Sequence, residues 1–180
     1  MEECRLTFKL CSLFLRYPDK DWAESDELNQ FIKSIENREI SHFFEQFMDY
    51  VNETPFKTLN ENYVRWFDFS ERTTLYLTHR IFGENRERGL AFVKLKMEFA
   101  RAGFYIKGDE LPDYLPLILE FASVADEKSV QKVFLIHKKD IDELLAELEK
   151  DANPYSYLLK ACITAMASYL PVSDQKHNAG

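Results

Sequence analysis

The chain has 180 residues and a mass of 21.3 kDa, and 23 Lys and Arg residues against 31 Asp and Glu residues give a formal net charge of −8. Binding to nucleic acid phosphates needs a basic surface, so this charge argues against a nucleic acid partner. The length and the 46% content of hydrophobic residues suit one globular domain with its own core. Only 5 Gly and 6 Pro residues stand beside 15 Phe and 9 Tyr, which favours long helices over a turn-rich β architecture.

The N-terminus and the cysteines predict a cytoplasmic protein. Cys4, Cys11 and Cys162 form no Cys-x-x-Cys pair, which indicates reduced thiols rather than disulfide bonds or a zinc site. The first residues, Met-Glu-Glu-Cys-Arg, are acidic where a signal peptide would be basic. No apolar run approaches the roughly 18 residues that would span a membrane. We therefore expect a chain that is neither exported nor inserted into a membrane.

Apolar residues recur at helical spacing through the first third of the chain. Residues 6–17 predict a first helix that Pro18 ends, and residues 22–35 predict a second. Ser41 has the residue type of an N-cap for a third helix. Thr54 and Pro55 fit the N-cap and first position of a fourth.

Ser70 is a further candidate cap, for a helix that runs to about Phe82 and ends at Gly83. Residues 86–102 form the most helix-like stretch of the chain. Two apolar stripes run along it, Leu90/Val93/Met97/Ala100 and Phe92/Leu95/Phe99/Ala102. We therefore expect a central helix that is buried on two sides.

The next helix begins between two prolines. With Asp113 as its N-cap, Pro116 falls at the third helical position, where a missing N–H costs nothing. Helical patterns then continue to Leu170, and Pro171 stops the last of them. We predict an all-α fold, a single-domain bundle of about eight to ten helices over residues 1–171, followed by a flexible C-terminal tail at 172–180.

Motifs for catalysis or cofactor binding are missing from the sequence. The glycines give no G-x-G-x-x-G, and the acidic pair Asp109-Glu110 stands where a phosphate-binding loop needs Lys and Ser or Thr. The four histidines lie far apart, with no H-E-x-x-H. Paired carboxylates such as Glu143 and Glu147 fit a solvated helix face. We expect no enzymatic activity, no metal site and no cofactor of its own.

Residues 63–82 stand out because four aromatic residues fall within seven positions, interleaved with charges. One interpretation is a helix end packed into the core with a charged rim. The other is an amphipathic groove whose aromatic walls hold a helical peptide. On the predicted helix Arg72, Tyr76 and His79 share one face, beside Leu75.

The sequence FDFSERTTLYLTHR at 67–80 resembles the NarJ family, the assembly chaperones or delta subunits of respiratory nitrate reductase. Residues 86–104 and the segment ELPDYLP at 110–116 agree in order, as does Leu-x-Tyr-Pro at 15–18. The family is part of the all-helical TorD/DmsD group of molybdoenzyme maturation chaperones, so the resemblance implies a TorD-like bundle. The wider group commonly has Asp-His where this chain has Asp113-Tyr114, so no role of that His carries over to Tyr114.

The resemblance implies a dedicated chaperone that is absent from the finished enzyme. It would bind the N-terminal tail of the apo nitrate reductase α subunit and support insertion of the molybdenum cofactor and an iron–sulfur cluster before membrane anchoring. Molybdenum cofactor biosynthesis proteins are further partners that it suggests. The alternative is a carrier that binds molybdenum cofactor or guanine nucleotide directly, at the basic stretch 86–101, although these cations also suit a solvated helix face.

Ten residues are expected to form the peptide groove, with aromatic rings supplying buried area and Arg72 pairing with a peptide carboxylate or carbonyl. They are Tyr63, Phe67, Phe69, Arg72, Leu75, Tyr76, His79, Asp113, Tyr114 and Leu117.

Overall fold

A computed structural model describes residues 1–23, 25–79 and 86–170 of the chain. The regular elements of this part are helices, and its only β pairing is one isolated bridge between Tyr76 and Tyr114. The predicted all-α bundle is therefore confirmed. The expected stop at Gly83 and the expected tail at 172–180 lie outside the described residues.

The helices are α1 (Glu2–Phe14), α2 (Lys20–Ala23), α3 (Asp26–Lys33), α4 (Arg38–Glu53), α5 (Phe56–Tyr63), α6 (Arg86–Arg101), α7 (Leu115–Val124), α8 (Glu127–Lys150) and α9 (Tyr155–Met166), with a π-helical turn over Val64–Asp68. The first helix packs against α7 and α9, and α9 also packs against α4 and α8. Phenylalanines fill the centre: Phe8, Phe14, Phe44, Phe47 and Phe134 are fully buried. Helices from both ends of the described chain, α1 and α9, thus pack together in one core.

Two of the predicted helix starts are wrong. Asn37 caps α4, because its side chain accepts hydrogen bonds from the N–H groups of Glu39 and Ile40. Ser41 consequently lies inside that helix. At α5 the N-cap is Pro55, while the Thr54 hydroxyl donates back to a carbonyl of α4.

The expectation that α6 is buried on two sides is also wrong. Leu95 and Phe99 are buried, and Phe99 packs against Phe121 with ring centroids 4.5 Å apart. The other stripe lies at the surface, where Leu90 and Met97 are exposed. One face of α6 meets the bundle, because the helix runs along its outside and contacts α8.

The cysteines are free thiols, as the sequence predicts. Cys11 and Cys162 are fully buried, and burial raises the pKa of the Cys162 thiol to about 12. Cys11 donates to the carbonyl of Leu158 at 3.3 Å. Both behave as small core residues rather than as nucleophiles.

Candidate functional site

The π-helical turn Val64–Asp68 continues α5. Two predicted site residues in this region, Tyr63 and Phe67, are buried in the core. The rings of Tyr63 and Phe67 lie 4.9 Å apart, and both contact Tyr155. The Tyr63 hydroxyl donates to the carbonyl of Leu15 at 2.9 Å. Burial raises the pKa of this hydroxyl far above its ordinary value, so it remains protonated at neutral pH. Tyr63 and Phe67 therefore lie in the core and support the surface residues around them.

The helix predicted from Ser70 to Phe82 is wrong over 71–78, where the chain forms turns and a short extended piece, whereas His79 is helical. Local side-chain hydrogen bonds explain the difference. The Thr73 hydroxyl donates to the carbonyl of Trp66, and the Ser70 hydroxyl accepts from the Thr73 N–H at 3.3 Å. Hydroxyl groups that bind nearby backbone in this way offer the chain an alternative to the helix.

Without that helix, Arg72, Tyr76 and His79 do not share a helical face. Arg72 points to solvent, and one of its nitrogens lies 4.0 Å from a carboxylate oxygen of Glu147. Phe69, which follows the π-helical turn, is 84% exposed. Phe69 and Arg72 are thus both exposed, and Arg72 lies next to α8.

The isolated bridge brings two other predicted residues together. Backbone hydrogen bonds of 3.1 and 2.8 Å join residues 75–77 to residues 113–115. Across this bridge Tyr76 and Tyr114 stack, with ring centroids 5.1 Å apart and an interplanar angle of 30°. The Tyr76 hydroxyl donates to Glu110 at 3.0 Å, and partial burial together with this carboxylate raises its pKa. Tyr76, Tyr114 and Glu110 form one half-buried polar and aromatic surface.

Asp113 is fully buried beside this surface. One of its carboxylate oxygens accepts from the Thr78 N–H at 3.1 Å and from the Thr78 hydroxyl at 2.6 Å. The same oxygen lies 3.6 Å from Arg88, whose guanidinium is also 3.2 Å from His79. The predicted cap is wrong, since Tyr114 is the N-cap of α7 and makes no side-chain capping bond. Asp113 instead ties residues 74–79 to the start of α7.

A cavity of about 560 Å³ opens beside Tyr114 and Leu117, which we call the Tyr114 cavity. Its walls come from the loop 104–107, from Glu110, and from the ion pair between Arg16 and Glu120. The loop contributes half-buried apolar side chains and the 74% exposed ring of Tyr105. The cavity thus combines apolar side chains with two carboxylates, Glu110 and Glu120, and two cations, Arg16 and Lys107.

Sequence reasoning missed Arg16, Glu120 and most of the loop 104–107. Arg16 lies within the Leu-x-Tyr-Pro segment, and the loop follows the segment 86–104, so both were near the family signature. No local spacing indicates that residues 16 and 120 share an ion pair.

The ten predicted residues divide into three groups. Five are buried, namely Tyr63, Phe67, Leu75, Asp113 and Leu117. Three are half-buried, namely Tyr76, His79 and Tyr114. The remaining two, Phe69 and Arg72, are exposed.

Within residues 1–23, 25–79 and 86–170, no group of three or more His, Cys, Asp or Glu side chains could hold a metal ion. In the same part of the chain, every helix is too short or too polar to cross a membrane.

Residues 26–160 match the model of the nitrate reductase delta subunit family. The chain belongs to this family. Membership confirms the resemblance to the NarJ family seen in the sequence, and with it the prediction that the chain is not an enzyme.

Named relatives of this delta subunit family member cover most of its length. It is 39% identical over 167 residues to the probable nitrate reductase molybdenum cofactor assembly chaperone NarJ of Bacillus subtilis, covering 90% of this chain and 89% of the relative. It is 30% identical over 171 residues to the nitrate reductase molybdenum cofactor assembly chaperone NarJ of Escherichia coli K12, covering 88% and 70%. A match to the nitrate reductase-like protein NarX of Mycobacterium tuberculosis, 31% identical, spans 58% of this chain and 16% of that protein.

Proposed function

We propose that this delta subunit family member is a cytoplasmic chaperone of nitrate reductase assembly. It binds the N-terminal tail of the apo α subunit and keeps that subunit competent for insertion of the molybdenum cofactor and an iron–sulfur cluster before membrane anchoring. The relatives' names, which specify molybdenum cofactor assembly, support the coarser part of this proposal. Proteins of molybdenum cofactor biosynthesis are its further partners.

The observation that carries the proposal is the Tyr114 cavity. Its volume of about 560 Å³ is within the range of about 300–1,000 Å³ typical of ligand pockets. Its apolar floor, with Leu117 and Ile106, suits a large apolar side chain of a peptide. Tyr105 stands exposed at the rim and provides an aromatic anchor. A tail that becomes ordered on binding needs a few such anchors, because ordering costs free energy.

Charge favours a basic tail. The whole chain has a net charge of −8, while the Tyr114 cavity itself is balanced, with Glu110 and Glu120 beside Arg16 and Lys107. A field of this sign raises the rate at which a basic peptide meets the site. We propose that Tyr114 and Leu117 meet the tail, with Tyr76 stacked on Tyr114, while the other buried members of the predicted groove hold these residues in place.

Among the described side chains of the basic stretch 86–101, no anion site supports the carrier alternative. Arg101 of the basic stretch pairs with Glu98 at 2.5 Å, and Arg88 lies against the buried carboxylate of Asp113. Lys94 is exposed on the outer face of α6. These cations do not converge on one anion site.

Calorimetric titration with a synthetic peptide of the α-subunit N-terminus tests the proposal. We expect binding to the wild type and an affinity about tenfold lower for Tyr105→Ala, as expected for the loss of one anchor. Leu135→Ala, which shortens an exposed residue of α8, is the control and should bind like the wild type. If Phe69→Ala weakens binding and Tyr105→Ala does not, the tail binds at the π-helical turn instead.

A further inference from the structure

One side of α6 presents a row of apolar residues to solvent. Leu90, Val93 and Met97 follow one another at spacings of three and four residues, so they lie along one face of the helix. Leu90 is 62% exposed, Met97 is 49% exposed, and Val93 is exposed between them. None of the three lines the Tyr114 cavity. We call this row the outer stripe of α6.

Cations border the outer stripe on both edges. With about 3.6 residues per turn, Lys94 and Arg101 fall on one edge and Lys96 falls on the other. All three are exposed. Glu98 is the one acidic residue among the described side chains of α6, and it lies further round the helix, largely buried between Arg101 and Lys132 of α8. The described outer side of α6 is therefore apolar in the middle and basic at its edges.

The outer stripe is the outward face of a helix on the outside of the bundle, and not the floor of a groove. The opposite face of α6, with Leu95 and Phe99, is buried. A helical peptide binds between walls that surround part of it, whereas a flat surface needs no walls. An apolar row between Lys and Arg residues is the pattern of a helix that lies in a membrane interface, with its cations at anionic headgroups.

The net charge of −8 is compatible with such a contact. In physiological salt, electrostatic interactions decay over a Debye length of about 8 Å. A helix with its side chains is about 10–12 Å across, so α6 keeps the charges behind it farther than this from a surface that touches the outer stripe. The charges nearest to that surface are the cations at the two edges.

We propose that the outer stripe of α6 binds the surface of an anionic membrane. Leu90, Val93 and Met97 enter the boundary between headgroups and acyl chains, while Lys94 and Lys96 meet lipid phosphates on either side. The 16 residues of α6 lie parallel to the membrane over about 24 Å. The contact is peripheral and reversible, because one short apolar row buries little area. It requires neither the client tail nor the Tyr114 cavity.

Co-sedimentation of the wild-type chain with lipid vesicles tests the proposal. Vesicles of phosphatidylglycerol and phosphatidylcholine in equal parts should bind the chain, and vesicles of phosphatidylcholine alone should bind it at least about tenfold more weakly. Raising the NaCl concentration from about 0.1 M to about 0.5 M should weaken the binding to anionic vesicles severalfold, because salt screens the cations. Equal binding to both kinds of vesicle would overturn the proposal.

A charge placed in the outer stripe tests its apolar part. Met97→Glu should weaken binding to the anionic vesicles about tenfold, because a carboxylate then faces the headgroups. Leu135→Glu adds the same charge at an exposed apolar residue of α8 and should bind like the wild type. Circular dichroism confirms that both variants are folded. Equal binding of the two variants would show that the outer stripe does not touch the membrane.

A charge reversal at the edge of the stripe tests its basic part. A Lys or Arg near an anionic membrane strengthens binding by about fivefold, so Lys94→Glu should weaken it by more than about tenfold. Lys139→Glu, on an exposed face of α8, changes the net charge equally and should have a much smaller effect. Equal effects of the two reversals would mean that net charge alone governs binding, against the proposal.

Two further outcomes separate this proposal from others. Met97→Glu should bind the α-subunit peptide like the wild type, because Met97 does not line the Tyr114 cavity. A loss of peptide affinity would mean that the outer stripe serves the client instead. If the wild type binds no vesicles and sedimentation equilibrium shows a dimer that Met97→Glu dissociates, the stripe is an interface between two copies. Either result overturns the membrane contact, and the proposed function stands.

Discussion

The two halves of the segment 63–79 have similar apolar patterns and fold differently. Residues 63–68 remain helical, and the rings of Tyr63 and Phe67 enter the core. Residues 70–78 form turns and a short extended piece, and Tyr76 among them pairs with Tyr114, which is far along the chain. The first half is rich in aromatic residues, whereas the second contains Thr73, Thr74 and Thr78. Apolar spacing alone does not distinguish them.

The difference teaches that short hydroxyl side chains decide the outcome when helix signals are otherwise equal. Each hydroxyl of Thr73 and Thr78 has an acceptor that a helix would place elsewhere, namely the Trp66 carbonyl and the Asp113 carboxylate. In the aromatic half, burial of large rings outweighs the loss of regular α geometry in the π-helical turn. Each of the following changes acts on one half or the other.

The largest effect is expected in the aromatic half. Phe67→Ala removes a buried ring that contacts Tyr63 and Tyr155, and should lower the free energy of unfolding by about 3–5 kcal/mol. Phe69→Ala is the matched control, and because its ring is in solvent the loss should stay below about 0.5 kcal/mol. Urea denaturation measures both. Equal losses would mean that Phe67 is not in the core.

The next effect concerns the anchor of the threonine half. Asp113→Ala removes the acceptor of two Thr78 hydrogen bonds and the carboxylate beside Arg88, and should cost about 3 kcal/mol. The amides of residues 77 and 78 should lose their protection from hydrogen exchange first. Asp113→Asn, which keeps the shape, should cost less. A uniform loss of protection over α4 and α9 would contradict a local anchoring role.

A smaller effect depends on pH. Burial holds the pKa of Tyr63 well above its ordinary value of 10.0 in the folded chain, whereas the unfolded chain ionises near that value. The stability from this group is therefore complete below pH 10 and falls as the pH rises above it, by about 1.4 kcal/mol per pH unit. Urea denaturation between pH 8 and pH 11 measures the fall, which should be shallower for Tyr63→Phe. Parallel curves for the two proteins would contradict this assignment.

The smallest effect is expected for Arg72→Ala. Arg72 is exposed and lies 4.0 Å from Glu147, so its loss should change the free energy of unfolding by less than about 0.5 kcal/mol. Because Arg72 does not line the Tyr114 cavity, the affinity for the α-subunit peptide should stay within about twofold. A tenfold loss of affinity would contradict this expectation and would mean that Arg72 contacts the peptide, as its sequence spacing predicts.

Elements that depend on local pattern were predictable. The apolar spacing of α1, α8 and α9 and the two prolines near the start of α7 identify helices, because amphipathic periodicity and N-terminal proline act within one or two turns. The exposed stripe of α6 shows where periodicity fails, since it does not tell how many neighbours a helix has. The pair Arg16–Glu120 and the stack Tyr76–Tyr114 join residues far apart in sequence, and their distances follow only from the packed fold.

The contact between α1 and α7 also has a consequence for the order of events during synthesis. The first helix to leave the ribosome is α1, and its partner α7 ends only at Val124. A nascent chain that has not yet released α7 cannot cover the face of α1 that packs against it. The core therefore closes late during translation, when the first helix meets this distant partner.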